Sequence, residues 1–180
     1  MDRRMKYVLF LIIGLANLSY SQQWNTLEGV PIPNSDNQKS GESFGAHLIL
    51  TNDHRELTKK WNLPSEGVDI DSSDTVKRNE SISAFVVFTG CRETENGDCQ
   101  LVVEYTVLQP DGKLYSKTPR MEVWYNKPKP DNGFLQLSVD YLKVIFEAGE
   151  QVGRYSLSAE VTDLISGEVL TLKSSFTASD

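Results

Sequence analysis

Strict alternation of apolar and polar residues near the C-terminus is the feature that most constrains the fold. Every second position of the run is apolar: Tyr155, Leu157, Ala159 and Val161. A period of two is the side-chain period of a β-strand that has one buried and one solvated face. A turn at Ser166 and Gly167 precedes a second alternating run, whose apolar positions are Leu170, Leu172 and Phe176. The two runs predict a C-terminal β-hairpin.

Further strands are predicted upstream. Residues 46–51 and 101–108 are candidate strands, and residues 82–88 are apolar in both phases, which is typical of a central strand. Residues 113–125 predict one more strand. Residues 134–146 change phase midway, which predicts a bend or two short strands.

Turn signals separate these runs. Pro110-Asp111-Gly112 predicts a tight turn, because proline presets the first turn position and glycine accepts a positive φ. Residues 127–133, rich in proline and lysine, predict a loop. Six or seven strands with a turn about every ten residues predict an all-β antiparallel β-sandwich.

One short helix is predicted before the strands. Asn52 or Asp53 is placed to cap a helix over residues 54–61. His54, Leu57 and Trp61 then fall on one face at spacings of three and four residues. We expect that face to pack on the domain.

The N-terminus has the layout of a secretory signal peptide. Three basic residues precede an apolar run over residues 7–18 and a small-x-small triplet, so cleavage is predicted before Gln22. A membrane anchor is disfavoured, since a spanning helix needs ~20 apolar residues. The predicted organisation is a signal peptide over residues 1–21, an irregular leader over 22–45 and a sandwich domain over 46–180, with its core at 80–178. The protein is thus expected to be periplasmic or secreted, with no membrane span after cleavage.

A bacterial envelope is the expected setting. A eukaryotic secreted protein stays open as an alternative, and in that case Asn79-Glu80-Ser81 is a glycosylation acceptor.

The charge disfavours nucleic acid. Removing residues 1–21 changes the formal charge from −7 to −9, and no basic run exceeds a Lys-Lys pair. An acidic surface repels nucleic acid and anionic membranes, so neither is an expected partner.

Two cysteines, Cys91 and Cys99, are the only ones in the chain. In an exported protein they are expected to form a disulfide. The spacing is not C-x-x-C and no histidine is near, so a metal site or a redox pair is disfavoured. By loop entropy the disulfide is worth about 2.5 kcal/mol.

Three acids, Asp69, Asp71 and Asp74, raise the question of calcium. An EF-hand loop counted from Asp69 needs a glycine at its sixth position, where Asp74 stands. A solvated acidic loop is the expectation, and calcium binding stays open.

A tyrosine near the start of the penultimate predicted strand carries a family resemblance. The run Gly153-Arg154-Tyr155-Ser156-Leu157 resembles the tyrosine corner of immunoglobulin-like domains. EAGEQVGRYSLSAEVTD, residues 147–163, is similar to the matching strand region of bacterial immunoglobulin-like envelope modules. The resemblance spans about residues 80–178 and implies an immunoglobulin-like β-sandwich of uncharacterised function. Leu157 replaces the antibody-type cysteine and residues 101–108 lack a tryptophan, so antibody-type topology is not implied.

Catalysis has no supporting pattern. The chain has two histidines and no G-x-S-x-G, H-E-x-x-H, P-loop or dinucleotide motif. A hydrolase with two carboxylates stays an unsupported alternative, since 25 acids offer no selected pair. We predict no enzyme activity and no cofactor.

The expected function is a non-catalytic protein-interaction module with an envelope protein as partner. Trp124 and Tyr125 are the candidate contact residues, because aromatics are enriched at the centres of interfaces. A core role for one of the two is an equal expectation. The alternative is a sandwich that binds carbohydrate or another small ligand, with Trp24, Trp61 and Trp124 as stacking platforms. The sequence leaves the oligomeric state open.

Overall fold

A computed structural model describes residue 24 and residues 30–63, 70–131 and 133–180. The predicted signal peptide lies outside the described residues, and so does Asp69. Eleven strands and one helix occur in the described part. Their bounds, in chain order, are β1 Gln38–Ser40, β2 Gly45–Thr51, α1 His54–Trp61, β3 Thr75–Lys77, β4 Ser81–Thr89, β5 Asp98–Leu108, β6 Leu114–Lys117, β7 Met121–Pro128, β8 Gln136–Leu137, β9 Leu142–Ile145, β10 Gly153–Asp163 and β11 Val169–Ser179.

The strands form two sheets. Sheet 1 has the order β1-β2-β4, and β8 and β9 both pair with the far edge of β4. Sheet 2 has the order β3-β11-β10-β5, and β6 and β7 both pair with the far edge of β5. All pairs are antiparallel except the parallel pair of β3 with β11. The prediction of an antiparallel, mostly β protein is confirmed.

The main core lies between the sheets. It joins the alternating apolar positions of sheet 1 to those of sheet 2. Val86 in β4 and Val103, Ala159 and Leu172 in sheet 2 are all fully buried. Because both sheets bury one face, a shift of one residue in any of these strands would expose its apolar set, so the register is strongly specified.

A second apolar cluster covers the outer face of sheet 1. Phe85 and Val87 point outward from β4 and are buried under Leu57 of α1, Trp24 and Leu137. Asp53 caps α1 by accepting a hydrogen bond from the Glu56 N–H at 2.9 Å. The predicted cap, the helix and the central position of β4 are therefore confirmed.

Three details differ from the predictions. The segment 22–45 contains β1, whose residues Gln-Lys-Ser have no apolar pattern to reveal a strand. The single strand predicted over 113–125 is two strands, because Pro119 has no N–H to donate to the ladder between the end of β6 at Lys117 and the start of β7 at Met121. β7 also runs two residues into the predicted 127–133 loop, where Pro128 is tolerated at a strand end.

Tyr155 makes the hydrogen bond expected of a tyrosine corner. Its hydroxyl donates to Gln151 O at 2.7 Å. Its ring is stacked on Phe176, with centroids 5.2 Å apart and planes 5° from parallel. Burial raises the pKa of Tyr155 above its ordinary value of 10.0.

Candidate functional site

A cleft of about 610 Å³ opens where the outer edges of β2 and β11 come together. We call it the edge cleft. Its lining combines amide, imidazole, hydroxyl and carboxyl side chains with an apolar floor: Asn37, His47, Leu48, Ile49, Leu50, Ile70, Ser72, Ser73, Asp74 and Ser174. This volume is within the range of ligand-binding pockets.

One end of the edge cleft is closed by the segment that leads into β1. Asn37 O accepts a hydrogen bond from Leu48 N–H in β2 at 2.7 Å. The neighbouring Asp36 O accepts one from Lys173 N–H in β11 at 2.7 Å. Two consecutive carbonyls therefore tie the edges of both sheets together at this end.

The other end is closed in the same way by the segment that leads into β3. Ser73 N–H donates to Leu50 O in β2 at 2.9 Å, and Asp74 O accepts from Thr177 N–H in β11 at 2.7 Å. The cleft is thus a window between two main-chain clasps, each of which bridges sheet 1 and sheet 2.

His47 stands on the outer face of β2 as a side wall of the cleft. Its Nε2 lies 3.2 Å from the Asn37 side-chain amide. The ring of Trp24 meets the imidazole edge to face, with centroids 6.2 Å apart. Burial lowers the pKa of His47, so the ring is neutral at pH 7 and its Nε2 accepts from the Asn37 amide.

The predicted disulfide is present. Cys91 and Cys99 are bonded, with Cα atoms 6.0 Å apart, and both are buried in the main core. Cys99 lies in β5, and Cys91 follows β4 after Gly90, which has a φ of 72°. A disulfide is consistent with an oxidising, extracellular compartment.

The predicted contact residues point in different directions. Trp124 is half-buried, with its ring 5.8 Å from Phe88 and its Nε1 donating to Pro128 O at 2.9 Å. Tyr125 is 40% exposed. Trp124 therefore packs on the core, as one of the two was expected to do, and Tyr125 remains the accessible aromatic.

The other tryptophans are not exposed platforms. Trp24 is 7% exposed and its Nε1 donates to Lys39 O at 3.0 Å. Trp61 is partly buried against the outer cluster of sheet 1. The use of Trp24 for sugar stacking is therefore wrong, because its faces are occupied by the protein itself.

His54 is separate from His47. It stacks on Tyr141 at 5.2 Å, and Tyr141 in turn stacks on Phe85 at 4.5 Å. The expected packing role of this helix face is thus confirmed.

The acidic residues do not come together within the described part of the chain. Asp71 pairs with Lys60 at 2.9 Å, and Asp74 lies at the edge cleft. Within the described ranges, no three His, Cys, Asp or Glu side chains form a group able to hold a metal ion. In the same ranges, no helix has the length and apolar character needed to cross a bilayer.

Sequence reasoning assigned His47 to no site and considered Asp74 only as a calcium ligand. It did not identify the edge cleft, because the lining residues come from four distant segments and the clasps are main-chain hydrogen bonds. The one available signal was a histidine at an outward position of a predicted strand.

Comparison with known proteins identifies no family. No family model matches the chain, and no curated protein matches it. Among solved structures, a family 123 glycoside hydrolase from Clostridium perfringens is 13% identical with a TM-score of 0.43, over 76% of this chain and 27% of that one. The chain therefore spans about a quarter of that enzyme.

Two smaller proteins are also similar. A Niemann-Pick type C2 protein from Japanese carpenter ant is 10% identical with a TM-score of 0.39, over 73% of this chain and 88% of that one. A CARDB domain from Pyrococcus furiosus is 12% identical with a TM-score of 0.36, over 78% of this chain and 98% of that one. Scores this low carry no argument about function.

Proposed function

We propose that this protein is a non-catalytic, exported interaction module that holds a segment of a partner protein in the edge cleft. The observation that carries the proposal is the cleft itself, about 610 Å³ in volume, with several polar side chains around an apolar floor of Ile49 and Ile70. Such a combination of shape, apolar surface and few polar groups is typical of binding sites. The disulfide and the predicted signal peptide support an exported location.

The contacts of His47 support binding rather than catalysis. A general base acts on a nucleophile within hydrogen-bond reach. The Nε2 atom of His47 is instead paired with the Asn37 amide, which is not a nucleophile. Asp74 lies by the clasp at the opposite end of the cleft from Asn37, and among the described residues it makes no hydrogen bond to His47 that would orient the imidazole as a base.

The test is crosslinking in intact host cells with a tagged exported protein and quantitative mass spectrometry. Ser72 is exposed at the rim, so Ser72→Trp is expected to fold normally and to fill the cleft entrance. Asp131→Trp is the matched control, since Asp131 is exposed and away from the cleft lining.

We expect one envelope protein to be enriched with the wild-type protein and with Asp131→Trp, and its capture to fall about tenfold with Ser72→Trp, as for the loss of about 1.4 kcal/mol. Equal capture by both variants would place the contact elsewhere and overturn the assignment of the site.

Tyr125 is a second candidate contact, because it is an exposed aromatic on an edge strand. Deleting the surrounding segment would remove part of β7, so Tyr125→Ser is the appropriate variant. Loss of partner capture with Tyr125→Ser, and retention with Ser72→Trp, would move the site to β7.

Carbohydrate or another small ligand is the alternative occupant of the cleft. The hydroxyls of Ser72 and Ser174 favour it, whereas the buried Trp24 does not. A sugar panel that perturbs the cleft residues in NMR spectra, with no protein partner captured in cells, would select this alternative.

A further inference from the structure

Among the residues that the structure describes, the outer edge of β2 has two main-chain groups without a partner. Leu48 N–H and Leu50 O are taken by the clasps at Asn37 and Ser73. The main-chain N–H and C=O groups of Ile49 and Thr51 point toward β4 in the ladder. Those of Leu48 and Leu50 therefore point the other way, toward the cleft. Within the described residues, the Leu48 carbonyl and the Leu50 N–H have no hydrogen-bond partner.

These two groups lie in an enclosed position. Leu48 is 1% exposed and Leu50 is 5% exposed, yet both line the edge cleft. The great majority of buried main-chain groups are paired, because an unpaired donor or acceptor in a buried place costs free energy. An open carbonyl and an open N–H on either side of one residue are therefore a specific feature of this cleft.

A main-chain carbonyl and a main-chain N–H two residues apart on one strand can both form hydrogen bonds with a single residue of another chain. In parallel pairing, a residue beside Ile49 donates its N–H to the Leu48 carbonyl and accepts from the Leu50 N–H. The clasps already use the Leu48 N–H and the Leu50 carbonyl, which are the next pairing groups on either side. Only one residue of the other chain can therefore pair with this edge between the clasps. We infer that the occupant of the edge cleft is an extended peptide segment of the partner, one residue of which pairs with β2 beside Ile49. This inference rests on the proposed function and names its ligand class.

The charge at the cleft favours a peptide with a basic residue. Asp74 is exposed, and no described cation pairs with it, whereas Asp71 on the same segment is paired with Lys60. Lys173 and Asp36, which flank the other clasp, are also charged, but they meet through main-chain groups. A basic side chain next to the pairing residue is therefore complementary to Asp74.

The probe is a pool of acetylated and amidated pentapeptides with one lysine and random residues elsewhere, added to the ¹⁵N-labelled exported protein. We expect the Leu50 amide proton to shift downfield and to exchange more slowly with solvent. The amides of Ile49 and Thr51 serve as controls in the same strand, because they face β4.

The strongest binder is then made with an N-methyl group at each amide in turn. The peptide methylated at one amide is expected to bind about tenfold more weakly, since the methyl group replaces the hydrogen that is donated to the Leu48 carbonyl. The affinities of the other methylated peptides are expected to change by less than about twofold. Asp74→Asn is expected to weaken the lysine peptide severalfold, and Asp71→Asn to leave it unchanged.

Each outcome decides between the two proposals. Peptides that bind the cleft with no sensitive amide would overturn pairing with β2 and leave the proposed function standing. A panel of mono- and disaccharides that shifts the Leu50 amide, when no peptide does, would also overturn the inference. If neither peptides nor sugars perturb the cleft and Ser72→Trp captures the partner normally, both proposals fail.

Discussion

The carboxylate of Asp163 accepts a hydrogen bond from the Arg92 N–H at 2.7 Å. Asp163 ends β10 and is fully buried, and Arg92 directly follows the disulfide cysteine Cys91. The other carboxylate oxygen accepts from Ile165 N–H at 2.9 Å in the turn before β11. One buried side chain thus connects the disulfide loop to the C-terminal hairpin.

Replacing Asp163 with alanine is expected to lower the free energy of unfolding by about 2–4 kcal/mol. The variant leaves the N–H groups of Arg92 and Ile165 without this carboxylate acceptor, and hydrogen bonds to charged groups are the stronger class. Urea unfolding followed by circular dichroism measures the change. Asp131→Ala is the control, because its exposed carboxylate should contribute less than about 0.5 kcal/mol. A loss in Asp163→Ala no larger than in the control would contradict the connecting role.

Removing the disulfide by Cys91→Ala with Cys99→Ala is expected to cost about 2.5 kcal/mol from loop entropy, plus a contribution from lost packing of the buried sulfur atoms. The two cysteines link the end of β4 in sheet 1 to β5 in sheet 2, strands that are also held by the main core. The loss should therefore appear as a lower urea midpoint rather than as a changed fold. Adding reductant to the wild-type protein separates the two effects, because the thiols keep most of the packing. An unchanged midpoint under full reduction, verified by mass spectrometry, would contradict this expectation.

Glu168 ties the loop before β2 to the C-terminal hairpin. Its carboxylate accepts from the N–H groups of Glu42 and Ser43 at 2.7 and 2.8 Å and from the Ser43 hydroxyl. A Cβ at Gly41 would overlap this carboxylate, so the glycine permits the close approach. Burial acts to raise the pKa of Glu168, but these hydrogen bonds outweigh it and the pKa lies below its ordinary value of 4.5.

A lowered folded-state pKa makes the contribution of Glu168 depend on pH. The stabilisation is complete above the unfolded-state pKa and is lost as the pH falls through the folded-state pKa. Glu168→Gln is therefore expected to cost about 1 kcal/mol at pH 7, a low value because the carboxylate is partly exposed, and less at pH 3. Urea unfolding at both pH values measures the difference. Glu95→Gln, at an exposed position in the disulfide loop, is the control variant.

Much of the fold was readable from short-range patterns. The alternation at Tyr155 to Val161 gave the correct buried face of β10, and both apolar phases of residues 82–88 matched a strand covered on two sides. The strand β1 was not predictable, because three polar residues pair with β2 only through contacts made in the folded chain. The break between β6 and β7 lies at Thr118, whose N–H and hydroxyl both bond to Tyr105 in β5, a contact made only in the folded chain.

The candidate site was less predictable than the fold, for a physical reason. Leu48 and Leu50 take part through main-chain atoms, and main-chain atoms are the same in every residue. His47 and Asp74 were visible in the sequence, but the 26 positions between them and the two clasps that bring them together were not. The cysteine pair, by contrast, could be predicted as a side-chain contact, because its chemistry admits few partners.

Two buried serines, Ser83 in β4 and Ser138 directly after β8, provide a matched comparison of hydrogen-bond satisfaction. The Ser138 hydroxyl accepts from the Val86 N–H at 3.2 Å, whereas the Ser83 hydroxyl has no hydrogen-bond partner within the described residues. Ser138 is 4% exposed and Ser83 is 1% exposed, so the two differ mainly in pairing.

Ser138→Ala is therefore expected to lower the free energy of unfolding by about 1–3 kcal/mol, because it leaves the buried Val86 N–H without this acceptor. Ser83→Ala removes an unpaired polar group from a buried place and is expected to be neutral or stabilising, within about 1 kcal/mol. Paired urea unfolding curves of the two variants and the wild type measure both changes. A larger loss for Ser83→Ala than for Ser138→Ala would mean that the Ser83 hydroxyl is satisfied in solution, by water or by a different rotamer.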